Sequence, residues 1–364
     1  MHALNGLVLV NGPRDSVQGP RAQALFQGDM DIVYKTRGRF HSVPEIWSCL
    51  RTVREGWIYC IDLGVPAAFL AAVRRYLPPR VRLALELGDP MGPLLAGQPQ
   101  PWLRACADLA DRVVPGLADR LVFRGSYLAR YFRKIMFHRG PPVWTWLPDG
   151  VDTARFRPRR QDPEVNALRR RHGLDGRFVV GLVGSIHHAP RYDLYYGWEL
   201  AEALALLDPR LPVTGVVVGD GPGRAVLEAT RDRLKLGDRL RLVGRVPHDR
   251  VPSWMNLFDV GLSTQTDDPV GWGRTTAKLP EYLACGLPVL CSDVGEAHRL
   301  LKPSGQTLPY RGMRDNGYPA RLAQAVATMV NADLTGLRDH NRRLALEEFD
   351  YAVLRRKVRK FLLS

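Results

Sequence analysis

Short apolar runs that stop at a glycine or an aspartate recur along this chain, and segments with helical spacing separate several of them. GLVLVNG (6–12) reads as a first buried strand, GPRAQALFQG (19–28) as a short helix and MDIVYKT (30–36) as the next strand. GWIYCIDLG (56–64), RLALELGD (82–89) and DRLVFRG (119–125) repeat the strand pattern. Strands that alternate with helices close into parallel sheets covered on both faces, which predicts an α/β fold with doubly wound, Rossmann-like sheets.

Around Pro141 to Arg160 the texture changes. The stretch PPVWTWLPDGVDTARFRPRR is rich in proline and arginine and has no clean period, as expected of a domain boundary. The alternation then restarts: RFVVGLVGS (177–185), PVTGVVVGDG (212–221), LRLVGRV (240–246), DVGLSTQ (259–265) and PVLCSD (288–293) read as strands. A chain of 364 residues is too long for one compact core and suits two domains. The expected division is 1–150, 151–345, and a C-terminal helix at 346–364 placed to cross back to the first domain.

Composition narrows the classes. Hydrophobic residues make up 45% and charged residues 24%, an ordinary globular balance. No apolar run approaches the roughly 20 residues that span a bilayer. LNGLVLVNG is too short for a signal-peptide core and lacks a cleavage-like tail, so a cytoplasmic protein is expected. The five cysteines (Cys49, Cys60, Cys106, Cys285, Cys291) are scattered with no CxxC pair, which suits reduced thiols and argues against a zinc site. The net charge of +15 draws phosphates, whether in nucleic acid, anionic lipid or a phosphorylated small molecule. An arginine-rich surface explains the same excess. The basic residues are dispersed and form no recognised nucleic-acid module, which argues against nucleic acid as the partner.

Three glycine-containing turns follow strands in the second half: VGSIHHAPR (183–191), VGDGPGR (218–224) and VGRVPHDR (243–250). Glycine lets a ligand approach the backbone, and the helix starts that follow offer free N–H groups to anions. One such turn alone reads as a plain tight turn. Three within one domain, followed by TTAKLPEYLACGLPVLCSD (275–293), are a stronger signal. In that last stretch Lys278 and Glu281 lie three residues apart at a helix start, and Gly286 ends the helix.

The blocks LPDGVDTARFRP (147–158), VGDGPGRAVLE (218–228), LVGRVPHDRVPSWMNLFDVGLST (242–264) and KLPEYLACGLPVLCSD (278–293) resemble the signature blocks of retaining glycosyltransferase family 4. The resemblance implies a GT-B fold, two doubly wound Rossmann-like domains facing across a cleft. It also implies transfer of a sugar from a UDP-, GDP- or similar nucleotide-sugar to a hydroxyl on a sugar or lipid-linked acceptor, with retention of configuration. No metal or other cofactor is expected in such a fold. The first 140 residues match only in strand–helix rhythm, as an acceptor-binding domain would.

Carried over residue by residue, the resemblance makes Glu281 the acid that accepts the donor ribose hydroxyls, a task two carboxylate oxygens suit. Macrodipole capping of its own helix is the alternative. Backbone at Arg245 and Val246 would receive the base. Gly184 and Ser185 fall in the phosphate loop. Ser185 stands where the family typically has an Arg, and Arg191 falls within a residue of the family's Lys. Arg191, Lys278 and Arg274 are the cations expected to clamp the diphosphate, each with a solvated surface charge as the alternative. Gly273 stands where many members carry a second acid, which leaves the amides of Gly271 to Arg274 and the starts at Thr275 and Thr276 as donors. His187 and His188 lie in the same loop and are given no metal, and Asp259 reads as structural. In the first domain Gly12 and Gly19 flank the first strand–helix turn in place of a double glycine. Glu86 and Asp89 end a strand where many members place a His; Glu86 with Gly12 is expected to meet the acceptor, and Asp89 to orient the acceptor or a donor hydroxyl, or to be a turn residue before Pro90.

FRGSYLARYFRKIMFHR (123–139) interleaves cations with Phe and Tyr. It reads either as a face that rests on an anionic membrane at its inner surface, or as an ordinary amphipathic helix with an arginine-rich exterior.

Overall fold

The computed structural model describes residues 4–16, 18–35, 43–62, 65–95, 100–137, 143–274 and 278–364. The chain divides into two compact units. The first comprises Met1–Gly150 with Trp272–Thr275 and Asp350–Ser364, and the second Val151–Gly271 with Thr276–Phe349.

Six parallel strands form the sheet of the first unit: β1 (Gly6–Val10), β2 (Asp31–Tyr34), β3 (Trp57–Ile61), β4 (Arg82–Leu87), β5 (Arg120–Phe123) and β6 (Trp144–Trp146), in the order β2-β1-β3-β4-β5-β6. Successive side chains point to opposite faces, so β1 sends Leu7 and Leu9 into one core and Val8 and Val10 into the other. The Leu7 face packs Leu50, Ala71, Leu128 and Phe132 from flanking helices. The Val8 face packs Phe26 and, from the C-terminal helix Tyr351–Leu363, Leu354, Val358 and Leu362. That helix begins with Asp350, whose side chain accepts from the Ala352 N–H, and Arg355 and Arg359 pair with Asp29 beside the first helix.

The helix Ser126–Ile135 turns Leu128, Ala129 and Phe132 inward and leaves Arg130, Arg133 and Lys134 outside. Phe123 is a buried strand residue that stacks on Phe132, with ring centroids 5.7 Å apart. Ser126–Ile135 is thus an amphipathic helix, and of the aromatics in the basic-aromatic stretch Phe123, in β5, and Phe132 belong to the core. His138 and Arg139 lie outside the described residues.

The second sheet is built the same way. Strands β7 (Phe178–Val183), β10 (Val213–Val218), β11 (Leu240–Gly244), β12 (Val260–Ser263), β13 (Val289–Ser292) and β14 (Thr307–Leu308) run parallel in the order β11-β10-β7-β12-β13-β14. A small antiparallel hairpin, β8 (His188–Ala189) and β9 (Leu194–Tyr195), rises from the loop after β7. Asp259 is structural here: its carboxylate accepts the Val179 N–H at 2.8 Å and pairs with Arg160. The strand order reverses beside β7, and ligands of open α/β sheets bind where the order reverses, at the carboxyl ends of the strands. Among the described residues no helix is long and apolar enough to cross a membrane.

Candidate functional site

At the carboxyl edge of the second sheet, the turns after β7, β10 and β11 are fastened to one another by backbone. The Gly184 N–H donates to the Val218 carbonyl at 3.0 Å, the Ile186 N–H to that of Asp220 at 3.0 Å, and the Gly219 N–H to that of Gly244 at 2.9 Å. Gly219 has φ of +147°, and a Cβ there would lie 1.8 Å from the Gly184 carbonyl oxygen. Only glycine allows the two turns to approach this closely. Between these turns opens a cleft of about 540 Å³, lined by Gly184, Ser185, Asp220, Arg245, Val246 and Lys278 among others. The sequence-predicted residues Gly184, Ser185, Arg245, Val246 and Lys278 are therefore brought together.

Lys278 opens the helix Lys278–Ala284, and its Nζ lies 2.8 Å from Glu281 Oε2. The Glu281 side chain is nearly buried. Burial raises its pKa, while the cations of Lys278 and Arg155 pull the other way without cancelling the rise. Arg155 reaches this group from the start of the unit. Its Nη2 contacts His248 Nδ1 at 2.7 Å and donates to the His248 carbonyl at 2.6 Å. Burial first, and then the charges of Arg155 and Lys278, lower the His248 pKa. A neutral ring with Nδ1 as acceptor from Arg155 fits that direction. Arg155 and His248 lie inside motifs quoted from the sequence, yet spacing gives no sign that residues 155, 248 and 281 converge.

Other candidates fall elsewhere. Arg191 is exposed on the tip of the β8–β9 hairpin, over the Tyr192 ring at 5.5 Å, and does not line the cleft. The Gly271 amide is already taken by Asp268 Oδ1 at 3.0 Å, and a Cβ at Gly271 would sit 1.9 Å from the Thr266 carbonyl oxygen. Gly271 thus lies in the short helix Pro269–Gly273, and Asp268 at the start of that helix takes its N–H. Gly273 is buried, and a Cβ there would meet Leu128 at 3.1 Å and Pro90 at 3.3 Å, which leaves little room for an acid. Arg274 pairs with Asp89 through two contacts of 2.9 and 3.3 Å, so each occupies the other. Thr275 and Thr276 lie outside the described residues.

In the first unit Glu86 does not reach the surface. Its Oε1 accepts from Arg21 Nε at 2.8 Å and Arg124 Nε at 3.0 Å, and its Oε2 from the Tyr59 hydroxyl at 2.7 Å. Burial would raise its pKa, but the two guanidiniums outweigh it and hold the group below the ordinary range. An acceptor cannot touch Glu86 directly; the carboxylate anchors Arg21 and Arg124 instead. Arg124 also reaches Asp62 at 2.6 Å, and Asp62 ends β3 in a left-handed conformation, φ +50°. Gly12, φ +141°, closes the turn after β1 against Ser16.

Residues 177–332 match the family described as glycosyl transferases, group 1. The match covers less than half of the chain, and the chain as a whole has the GT-B fold. Anabaena HepE in complex with UDP superposes with a TM-score of 0.78 at 17% identity, covering 99% of this chain and 100% of HepE. Sucrose-phosphate synthase of Thermosynechococcus elongatus gives 0.74 at 14% identity over 98% of each chain. In sequence, the chain is 36% identical over 167 residues to a 2-deoxystreptamine glucosyltransferase of Streptomyces kanamyceticus, covering 44% of this chain and 41% of that protein. It is 30% identical over 242 residues to a GDP-mannose-dependent alpha-mannosyltransferase of Mycobacterium tuberculosis, covering 66% of this chain and 53% of the relative. The alignments thus span about half or less of these two relatives.

Proposed function

We propose that this protein is a glycosyltransferase that moves a sugar from a nucleoside-diphosphate donor to a hydroxyl acceptor with retention of configuration, and without a bound metal. The observation that carries this reading is the cleft at the ends of β7, β10 and β11, with Lys278 in its lining and Glu281 locked to Lys278. In this arrangement Glu281 accepts the ribose hydroxyls, the backbone near Arg245 and Val246 meets the base, and Lys278 with the glycine-turn amides faces the diphosphate. HepE has been crystallised with UDP and with UDP-glucose, and the mycobacterial relative is named for GDP-mannose; both nucleotides therefore belong in the first test.

The chemistry follows from charge. As the bond between the anomeric carbon and the diphosphate oxygen breaks, negative charge grows on the leaving phosphate, and the cation and fixed amides stabilise it most in the transition state. The anomeric carbon becomes oxocarbenium-like. The acceptor oxygen bonds to that carbon on the same face, and its proton passes to the leaving diphosphate. Nucleoside diphosphate and glycoside are the products, and no protein nucleophile takes part.

The acceptor belongs to the first unit in this reading, and sugars, aminocyclitols and lipid-linked sugars are the classes to screen. A second reading, a protein that binds nucleotide but transfers nothing, draws on Gly273, where an acid would be cramped. Incubation with radiolabelled UDP-glucose or GDP-mannose and an acceptor panel separates the two. Labelled glycoside or slow donor hydrolysis supports transfer, whereas tight nucleotide binding with neither product supports the second reading.

A further inference from the structure

A second cleft, like the first of about 540 Å³, opens within the same unit. Its lining comes from the helix Pro163–Arg171, from β11 and the loop after it, and from the helix Val251–Leu257. The segment 243–251 serves both clefts. Arg245 and Val251 line the first, Val243, Pro247 and Arg250 the second, and Val246 both. A concave site of this volume with mostly apolar walls and a few polar groups is what small-molecule ligands occupy, and the proposed transfer reaction makes no use of it.

The lining selects the ligand. Leu168, Val243 and Val246 give it apolar surface. Trp254 and His172 give it aromatic surface, with ring centroids 4.8 Å apart in an edge contact. Burial, and then the charges of Arg171 and Arg241, lower the His172 pKa, so the imidazole is neutral at neutral pH. The charged side chains of the lining are Glu164, Arg171 and Arg250. Glu164 is occupied, because it accepts from Arg250 Nη1 at 2.6 Å and from Arg159 Nη2 at 3.4 Å. The Arg171 guanidinium has no hydrogen-bonded or ionic partner among the described residues. It is the charge of this lining left without a counter-ion. Apolar and aromatic walls take a planar ring, and an unmatched guanidinium takes a carboxylate, whose two oxygens fit its paired N–H groups. We propose that this cleft is a second ligand site, which takes a planar aromatic carboxylate. The proposal goes beyond the donor chemistry and stands apart from it, since Val246 alone is common to the two linings.

The test titrates the full chain with 2-naphthoate and with its neutral isostere 2-naphthamide. The indole N–H signal of Trp254, assigned with W254F, is followed by NMR. The expected result is a saturable shift with a Kd of about 1 mM or tighter for naphthoate, and naphthamide binding weaker by about tenfold. R171Q should weaken naphthoate by about tenfold and leave naphthamide unchanged, so that the two ligands bind this variant alike. A167F, which fills the cleft from its own lining, should abolish binding of both. Both positions are exposed, so thermal unfolding of the variants should match the parent. UDP or GDP at saturation should change naphthoate affinity by no more than a finite factor, transmitted through Val246. No saturable shift by about 5 mM, equal binding of naphthoate and naphthamide by wild type, or R171Q and A167F that behave as wild type overturns the proposal. So does a naphthoate Kd that climbs in proportion to nucleotide without limit, which puts the ligand in the first cleft.

Discussion

At the carboxyl edge of the second sheet the strands end in glycines, side chains withdraw, and backbone turns surround open space. At the same edge of the first sheet the strand ends carry Glu86, Arg124 and Asp62, and the interior behind them is filled by Arg21 and Tyr59 in a buried ionic network. The two sheets share strand number, direction and the reversal of order, so the scaffold does not cause the difference. Side-chain chemistry does. Bare backbone suits a ligand rich in phosphate oxygens, which amides and a few cations can hold. A network of fixed charges instead occupies its own members and sets the shape of its own loops.

The largest effect should come from breaking the network. Glu86→Ala leaves Arg21 and Arg124 buried without their shared anion, a loss of about 3–5 kcal/mol. Chemical denaturation should show an early transition, while nucleotide binding by the second unit survives. If nucleotide binding disappears with it at low denaturant, the two edges are not independent and the comparison fails.

Gly219→Ala attacks the opposite edge. The new Cβ meets the Gly184 carbonyl in a backbone conformation that disfavours side chains, so a cost of about 2–3 kcal/mol and loss of nucleotide binding are expected. The control is Gly28→Ala, with φ of +83° but nothing within 4 Å of the new Cβ; it should cost about 1 kcal/mol and leave binding intact.

Stability against pH sharpens the contrast further. Glu199 opens the helix after the β8–β9 hairpin, and burial lifts its pKa from 4.5 to about 7, with the Thr264 hydroxyl and Arg314 opposing. A carboxyl raised in the folded state holds its proton better there than when unfolded. Its contribution is complete below the unfolded pKa of 4.5 and is lost as pH rises through about 7. Over that window the second unit should lose on the order of 3 kcal/mol from this group, and Glu199→Gln should flatten the profile. Glu86 behaves oppositely, because its pKa is lowered: its contribution is present above the ordinary carboxylate range and lost on acidification. Melting curves between pH 5 and pH 8 read the Glu199 trend, and curves below the ordinary carboxylate pKa of 4.5 read that of Glu86; an equal slope in wild type and Glu199→Gln between pH 5 and pH 8 would contradict the first.

The smallest expected change is Lys278→Met. One partly exposed cation is lost from the phosphate side, so nucleotide affinity should fall by about tenfold with a weaker salt dependence. A change in affinity for the nucleoside alone as large as that for the diphosphate would move Lys278 away from the phosphates.

Much of this architecture was legible because it is local. Apolar runs ending in glycine or aspartate mark strand ends, and β1 to β5, β7 and β10 to β13 lie inside the predicted runs with their ends trimmed; β6, in the stretch read as a domain boundary, the β8–β9 hairpin and β14 lie in none of those runs. Glycine turns and the Lys278–Glu281 pair are also local, so several residues that line the cleft at the ends of β7, β10 and β11 could be named from the sequence. What depended on long-range packing was not legible. Glu86 looks like a cleft residue in RLALELGD, but the guanidiniums that bury it come from positions 21 and 124. Arg191 stands on the turn of a hairpin that its loop forms, a pairing of 188–189 with 194–195 that spacing does not show. Arg155 and His248 join Glu281 from far along the chain. The stretch 123–139 has the composition of a membrane face, yet Phe123 and Phe132 are core.

In the proposed reading nucleotide binding depends on Glu281, so the decisive experiment is calorimetric titration of wild type and Glu281→Ala with UDP, GDP, ADP and dTDP. The expected result is that one nucleoside diphosphate binds wild type and that Glu281→Ala, folded by circular dichroism, loses at least about tenfold in affinity, as removal of a charged acceptor of two hydroxyls requires. If no nucleotide binds wild type, or if wild type and Glu281→Ala bind it equally, the assignment of this cleft is wrong.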